Sequence, residues 1–219
     1  MKKTILIIIA YACLASSCGA PRRIKNAFTY CYTDTYTGID TLINIDGYYS
    51  AHPSMIFYDN GLVVGPFGFG YNMEQFRNND TLFLKEIAEN PEAKYSKTFY
   101  DFINCGSYVI CGDTIKVQLI HKSYSMNDDW VGREFWYKII DRDSLHFLDY
   151  FLITTNKKEK EFVKKYYPFK GGLTKDFVSV PAKPPLDYYW ILKEKWFWCN
   201  EQDWKDYMKK IEQKKTKKK

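Results

Sequence analysis

GSYVICGDTIKVQLIH at residues 106–121 and REFWYKIIDRDSLHFLDYFL at residues 133–152 decide how this chain folds. Two strand-like stretches, Gly106–Ile110 and Thr114–Ile120, flank the turn signal Cys111-Gly112-Asp113. In the second stretch Ile115, Val117 and Leu119 point one way and Lys116 and Gln118 the other. That period of two describes a strand with one dry and one wet face. A third strand is expected over Arg133–Ile140, with Phe135, Tyr137 and Ile139 on one face. Asp141-Arg142-Asp143-Ser144 then turns the chain and Leu145–Leu152 returns. Each strand follows its neighbour directly, so Gly106–Leu152 reads as an antiparallel meander.

Further strand signals lie on both sides of this unit. Met55–Tyr58 and Leu62–Val64 flank Asp59-Asn60-Gly61, the pattern of a hairpin. Leu42–Ile45 leads into Asp46-Gly47 and Tyr48-Tyr49 as an earlier strand. Phe177–Val180 gives a last one, stopped by Pro181. Residues 72–104 lack strand periodicity, and Thr81–Glu89 ahead of Pro91 has the composition of a helix. The glycines of 65–70 match neither GxxxxGK[ST] nor GxGxxG, so they suggest no phosphate loop. Near the C-terminus Asn200 can cap a helix starting at Glu201, with Asp203 in its first turn. Trp204, Tyr207, Met208 and Ile211 form one apolar stripe on that helix. It is expected to end near Gln213, leaving Lys214–Lys219 as a mobile basic tail.

The run 106–118 followed by 136–145 resembles the lipocalin-like domains of bacterial lipoproteins. In those domains a G-Y-x-I-x-G-D-T-I hairpin precedes a Y-x-I-x-x-x-x-L hairpin, and Gly47-Tyr48-Tyr49 stands where lipocalins carry Gly-x-Trp. The resemblance implies a mainly β fold: an antiparallel up-and-down lipocalin-like barrel with a C-terminal α-helix. It transfers no catalytic residues.

The first eighteen residues bear on location. Lys2 and Lys3 precede an apolar run that continues to Leu14, and Ala15-Ser16-Ser17 leads into Cys18. This is the layout of a secretory signal, and the cysteine after small residues resembles a lipobox. The resemblance implies cleavage before Cys18 and lipid attachment to it. The uncharged stretch is too short to cross a bilayer, which takes about 20 residues. The expected organisation is a signal peptide over 1–17, a lipidated tether over 18–27, a barrel domain with its helix over 28–213, and the tail over 214–219. The basic tether, with Arg22, Arg23 and Lys25, favours an outer membrane protein facing the periplasm.

Charge and cysteines limit the functions available. The formal charge is +6, but Lys2 and Lys3 leave with the signal and five lysines sit in the last six residues. The remaining domain is near neutral, so nucleic acid is not an expected partner. Cys31, Cys105, Cys111 and Cys199 can oxidise in an exported protein. They allow three full pairings. A strand joining Cys105 to Cys111 would hold the two about 20 Å apart, against a bridge limit of about 7 Å.

Chemistry-bearing residues are sparse. His52, His121 and His146 show no triad or metal spacing, and no cofactor is expected. Asp128-Asp129 are the best placed carboxylates for an alternative reading, a periplasmic enzyme with acids at a pocket mouth. An eight-stranded barrel is either just filled by side chains or just wide enough for one small ligand. Tyr108, Phe135, Tyr137 and Phe147 would fill that interior or line a ligand pocket. Trp196 and Trp198 would cover a barrel end or stack on a sugar or a partner. The expectation is a membrane-anchored, non-catalytic binding protein of the bacterial envelope, taking a small apolar ligand or a protein partner.

Overall fold

A computed structural model describes residues 22–50, 54–65, 79–121, 130–153 and 172–217, together with the isolated positions 157 and 161. The short helix α1 (Arg22–Ala27) comes first, then strands β1 (Gly47–Tyr49), β2 (Ile56–Phe57) and β3 (Leu62–Val64). Helices α2 (Asp80–Glu89) and α3 (Lys94–Phe102) follow. The meander is β4 (Cys105–Cys111), β5 (Thr114–His121), β6 (Val131–Ile139) and β7 (Ser144–Ile153), and β8 is Thr174–Ser179. Three 3-10 turns over Leu186–Tyr188, Trp190–Lys193 and Lys195–Phe197 lead to α4 (Glu201–Lys217).

The strands form one antiparallel sheet in the order β1-β8-β7-β6-β5-β4-β3-β2. Its outer strands then meet: the Tyr49 N–H donates to the Met55 carbonyl at 2.8 Å, and the Met55 N–H returns the bond at 3.1 Å. A nearly closed barrel results. The expected facing holds through β4 to β6, with Val117 opposite Tyr108 on one side and Phe135 on the other, and a bulge at Trp136/Tyr137 shifts β6 against β7. Gly106 is required in β4, because a Cβ there would lie 1.7 Å from the Gln118 carbonyl oxygen.

Two apolar cores share the barrel wall. Inside it lie Tyr49, Phe57, Val63, Tyr108, Ile115, Val117, Leu119, Phe135, Tyr137, Leu145 and Phe147. Outside it, Ile56, Tyr58, Leu62, Val64, Cys105 and Ile120 pack beneath α2, α3, the 3-10 turns and α4. This is why Leu62–Val64 reads as a continuous apolar run rather than an alternation: both faces are covered. Trp190 lies in the outer core with its indole N–H donating 2.8 Å to the Ile103 carbonyl, and Trp198 donates 3.0 Å to the Leu192 carbonyl.

Several local expectations change. Leu42–Ile45 is not a strand; a 3-10 turn at Ile39–Thr41 precedes it. The Ile43 N–H bonds back to Ile39 at 2.9 Å, and both side chains plug one end of the barrel. Apolar composition alone did not distinguish a plug from a strand. The tether expected over 18–27 is docked from residue 22 onward: α1 packs on β6 and buries Ile24. A six-residue segment with one apolar anchor has no periodicity by which to announce itself.

From α1 the chain runs along the outer wall as a strap. Gln118 accepts the Thr29 and Tyr30 N–H groups at 2.8 and 3.2 Å and donates 2.7 Å to Glu134. The Ser107 hydroxyl donates to the Tyr30 carbonyl. These partners explain two buried polar side chains on the wall. Tyr32 stacks on Phe197 with ring centres 5.3 Å apart, and a disulfide joins Cys31 to Cys199. Cys105 and Cys111 stand at opposite ends of β4 and are not bridged to each other.

The stripe on α4 packs as the sequence predicts, with Tyr207 and Ile211 buried and Trp204 and Met208 partly so. The helix continues past Gln213 to Lys217, and Lys214 pairs with Asp187. The helix therefore runs four residues past its expected end, into the lysine run. Deleting residues 214–219 removes one exposed ion pair and should cost no more than about 1 kcal/mol. Truncation before Trp204 should lower the melting temperature by roughly 5 °C or more, because it strips the outer core of Trp204, Tyr207, Met208 and Ile211. Thermal melts of the two truncations check this order.

Candidate functional site: the barrel interior

All four aromatics picked out as ligand-binding candidates point into the barrel, and all are buried. They are packed against one another. Phe135 and Tyr137 have ring centres 6.4 Å apart, Tyr137 and Phe147 lie at 5.5 Å, and Phe135 meets Tyr150 at 5.2 Å. Tyr108 meets Phe57 edge-on at 5.5 Å. Its hydroxyl donates 2.6 Å to the Tyr58 carbonyl and lies 2.7 Å from the Thr37 hydroxyl. Offset and edge-on contacts at these distances are the favoured aromatic arrangements. The described interior aromatics thus make close ring contacts with their neighbours.

Sequence reasoning missed one interior residue. Lys175 on β8 stands directly opposite Leu145, so it faces inward, and it is only 1 % exposed. Its ammonium lies 5.5 Å from the centre of the Tyr137 ring, within reach of a cation–π attraction. Burial lowers its pKa to about 8, because taking an ammonium out of water disfavours the charged form. The Tyr137 hydroxyl has no hydrogen-bond partner among the described residues, and burial raises its pKa well above the usual value. The signal for Lys175 was present in the sequence: Phe177, two residues later, faces inward, and a period of two puts Lys175 on the same face.

This pair sets the alkaline behaviour of the fold. The folded chain releases the Lys175 proton near pH 8 and the unfolded chain near 10.5, so the unfolded state holds more protons between these values. Stability must rise with pH through that window. By pH 10 the gain is about 2–3 kcal/mol from Lys175. Lys183, also lowered by burial, acts in the same direction. Buried tyrosines reverse the trend above pH 10. Tyr49, Tyr58, Tyr108 and Tyr207 are raised by burial, so their stabilising contribution is lost as pH climbs further. Urea titrations from pH 7 to 11 should show a maximum near pH 10, and Lys175→Met should flatten the rise below it.

The two described histidines sit in the sheet. His121 lies at the end of β5 with Nδ1 2.9 Å from Asn104 Oδ1, and His146 is paired with Thr174 and Lys138 across the sheet. Cys18, His52, Asp128 and Asp129 lie outside the described residues. Among the described residues no group of three or more His, Cys, Asp or Glu is placed to hold a metal, and no helix is long and apolar enough to cross a membrane.

The outer wall carries a second aromatic group. Trp136 and Phe151 touch with ring centres 5.0 Å apart, and the Lys116 ammonium sits 4.1 Å from the centre of the Trp136 ring. Glu134 accepts the Trp136 indole N–H at 2.5 Å and the Tyr30 hydroxyl at 3.2 Å. Phe151 is 39 % exposed.

Comparison of the chain with protein-family models, with curated proteins and with solved structures gives no match.

Proposed function

We propose that this chain is a lipid-anchored envelope protein of the lipocalin-like type, held in the outer membrane by Cys18 and facing the periplasm, with a non-catalytic binding role. Its partner is a protein that docks on the outer wall at Trp136 and Phe151. The packing of large aromatics inside the barrel carries this reading. The interior aromatics already engage one another in ring contacts, whereas the wall offers an aromatic pair flanked by Lys116 and Glu134. Aromatic residues ringed by charge are the usual composition of a protein-binding patch. The signal-like segment 1–18 supports the location.

A second reading is favoured by Lys175. Its buried ammonium over the Tyr137 ring suits the anionic end of a small amphipathic ligand that displaces some interior packing.

Photo-crosslinking in intact cells separates the two. A photoreactive residue at 136 or 151 should capture one envelope protein, and Phe151→Glu should abolish capture from position 136. A photoreactive residue at the exposed Thr216 should capture nothing. Absence of any specific product, with a small anion co-purifying in native mass spectrometry and lost in Lys175→Met, would transfer the function to the interior.

A further inference from the structure

We propose that the face formed by α1 and the 3-10 turn at Lys195–Phe197 rests on the headgroups of the bilayer that holds the Cys18 lipid. This deepens the lipid-anchor reading and depends on it. The first argument is chain length. Cys18 and Arg22 are four residues apart, which is at most about 14 Å of chain. Lys25 lies three helical residues further, a rise of about 4.5 Å. A lipidated Cys18 sits at the membrane surface, so α1 stays within about 20 Å of it.

The second argument is that α1 is fixed to the barrel rather than hung from it. Ile24 is buried in the outer core, Gln118 and Ser107 hold residues 29 and 30, and Cys31 is bonded to Cys199. A short leash fastened at a rigid point presents one face to the membrane. A leash of ten or more free residues would let the barrel tumble.

The third argument is the chemistry of that face. An open groove of about 540 Å³ lies beside α1, lined by Lys25, Glu194, Lys195, Trp196, Trp198 and Glu201 among others. Trp196 is partly exposed, its ring 5.9 Å from the Lys25 ammonium and its indole N–H bonded to Glu194 at 2.8 Å. Tryptophan with lysine is the pair that settles at the water–headgroup boundary. Glu201 is held by Lys195 and Lys205 at 2.7 and 3.0 Å. Lysines and glutamates are therefore balanced in the groove. The balanced groove suits the paired phosphate and ammonium of a zwitterionic headgroup, with Arg22 and Arg23 of α1 beside it.

The test uses the full chain, exported with its own signal and reconstituted into phosphatidylethanolamine–phosphatidylcholine vesicles whose acyl chains are brominated near the headgroups. Metabolic fatty-acid labelling with Cys18→Ser as control reports the anchor separately. The expected result is quenching of tryptophan fluorescence that disappears in Trp196→Phe, with equal melting temperatures for the two proteins. Amides of residues 22–28 and 193–200 should exchange at least tenfold more slowly on vesicles than in unanchored Cys18→Ser protein. Labelled protein without Trp196-dependent quenching, or with this face crosslinked to a second copy, would overturn the orientation and leave the anchor standing. No labelling at Cys18 would remove both. Quenching that vanishes when phosphatidylcholine and phosphatidylethanolamine are replaced by phosphatidylglycerol would support the zwitterionic match; quenching confined to phosphatidylglycerol would refute it.

Discussion

Val117→Asp should leave no folded barrel at neutral pH, while Lys116→Asp, one residue away, should lower stability by only about 1 kcal/mol. Val117 is wholly buried between Tyr108 and Phe135. An aspartate there sits among apolar and aromatic side chains and must bind a proton to remain. At pH 7 that protonation alone costs about 4 kcal/mol, three pH units above an ordinary aspartate pKa. Loss of the valine packing and a buried, poorly paired carboxyl add a few kcal/mol more. Domains of this size are stable by roughly 5–15 kcal/mol, so most of the margin is consumed. Lys116 faces the wet side of the same strand, and its replacement gives up the contact over Trp136, worth about 0.5–1 kcal/mol. Far-UV and near-UV circular dichroism with thermal melts distinguish the two. Similar melts would show that β5 does not present Val117 to the core.

The double substitution Cys31→Ser with Cys199→Ser has the second largest expected effect, a loss of about 2–5 kcal/mol. The bridge spans 168 residues, so it restrains nearly the whole unfolded chain. Losses should be local in the native state. Hydrogen exchange should quicken at residues 22–32 and along α4, where the strap and helix are fastened, and stay slow in β4–β7. Uniformly faster exchange would mean that the bridge supports the barrel itself. Cys105→Ala with Cys111→Ala should be mild by comparison, since neither thiol is bonded to another.

What the sequence disclosed was local. The alternation of Ile115, Val117 and Leu119 with Lys116 and Gln118 placed β5 correctly, and its neighbours followed because each strand of the meander pairs with the next. The stripe Trp204–Ile211 placed the C-terminal helix. What stayed hidden was non-local. Nothing near Tyr49 says that it will meet Met55 to close the barrel, and nothing near Cys31 selects Cys199 over two other cysteines. Gln118 looked like an ordinary wet-face residue. It is buried because a strap from the far N-terminus covers it. The four aromatics chosen for the interior do face inward, yet composition could not say whether they line a space or fill it. Phe135, Tyr137 and Phe147 contact one another, and Tyr108 meets Phe57. Lys175 was passed over because a lysine in a strand is ordinarily read as solvated, although its spacing from Phe177 argued otherwise.

The lipid anchor is central, since both the location and the membrane-facing surface depend on it. Intact mass spectrometry of the protein extracted from bacterial membranes tests it most directly. A mature chain of 202 residues starting at Cys18 and carrying a diacylglyceryl group is expected. A chain retaining residues 1–17, or one starting at an unmodified Cys18, would contradict it.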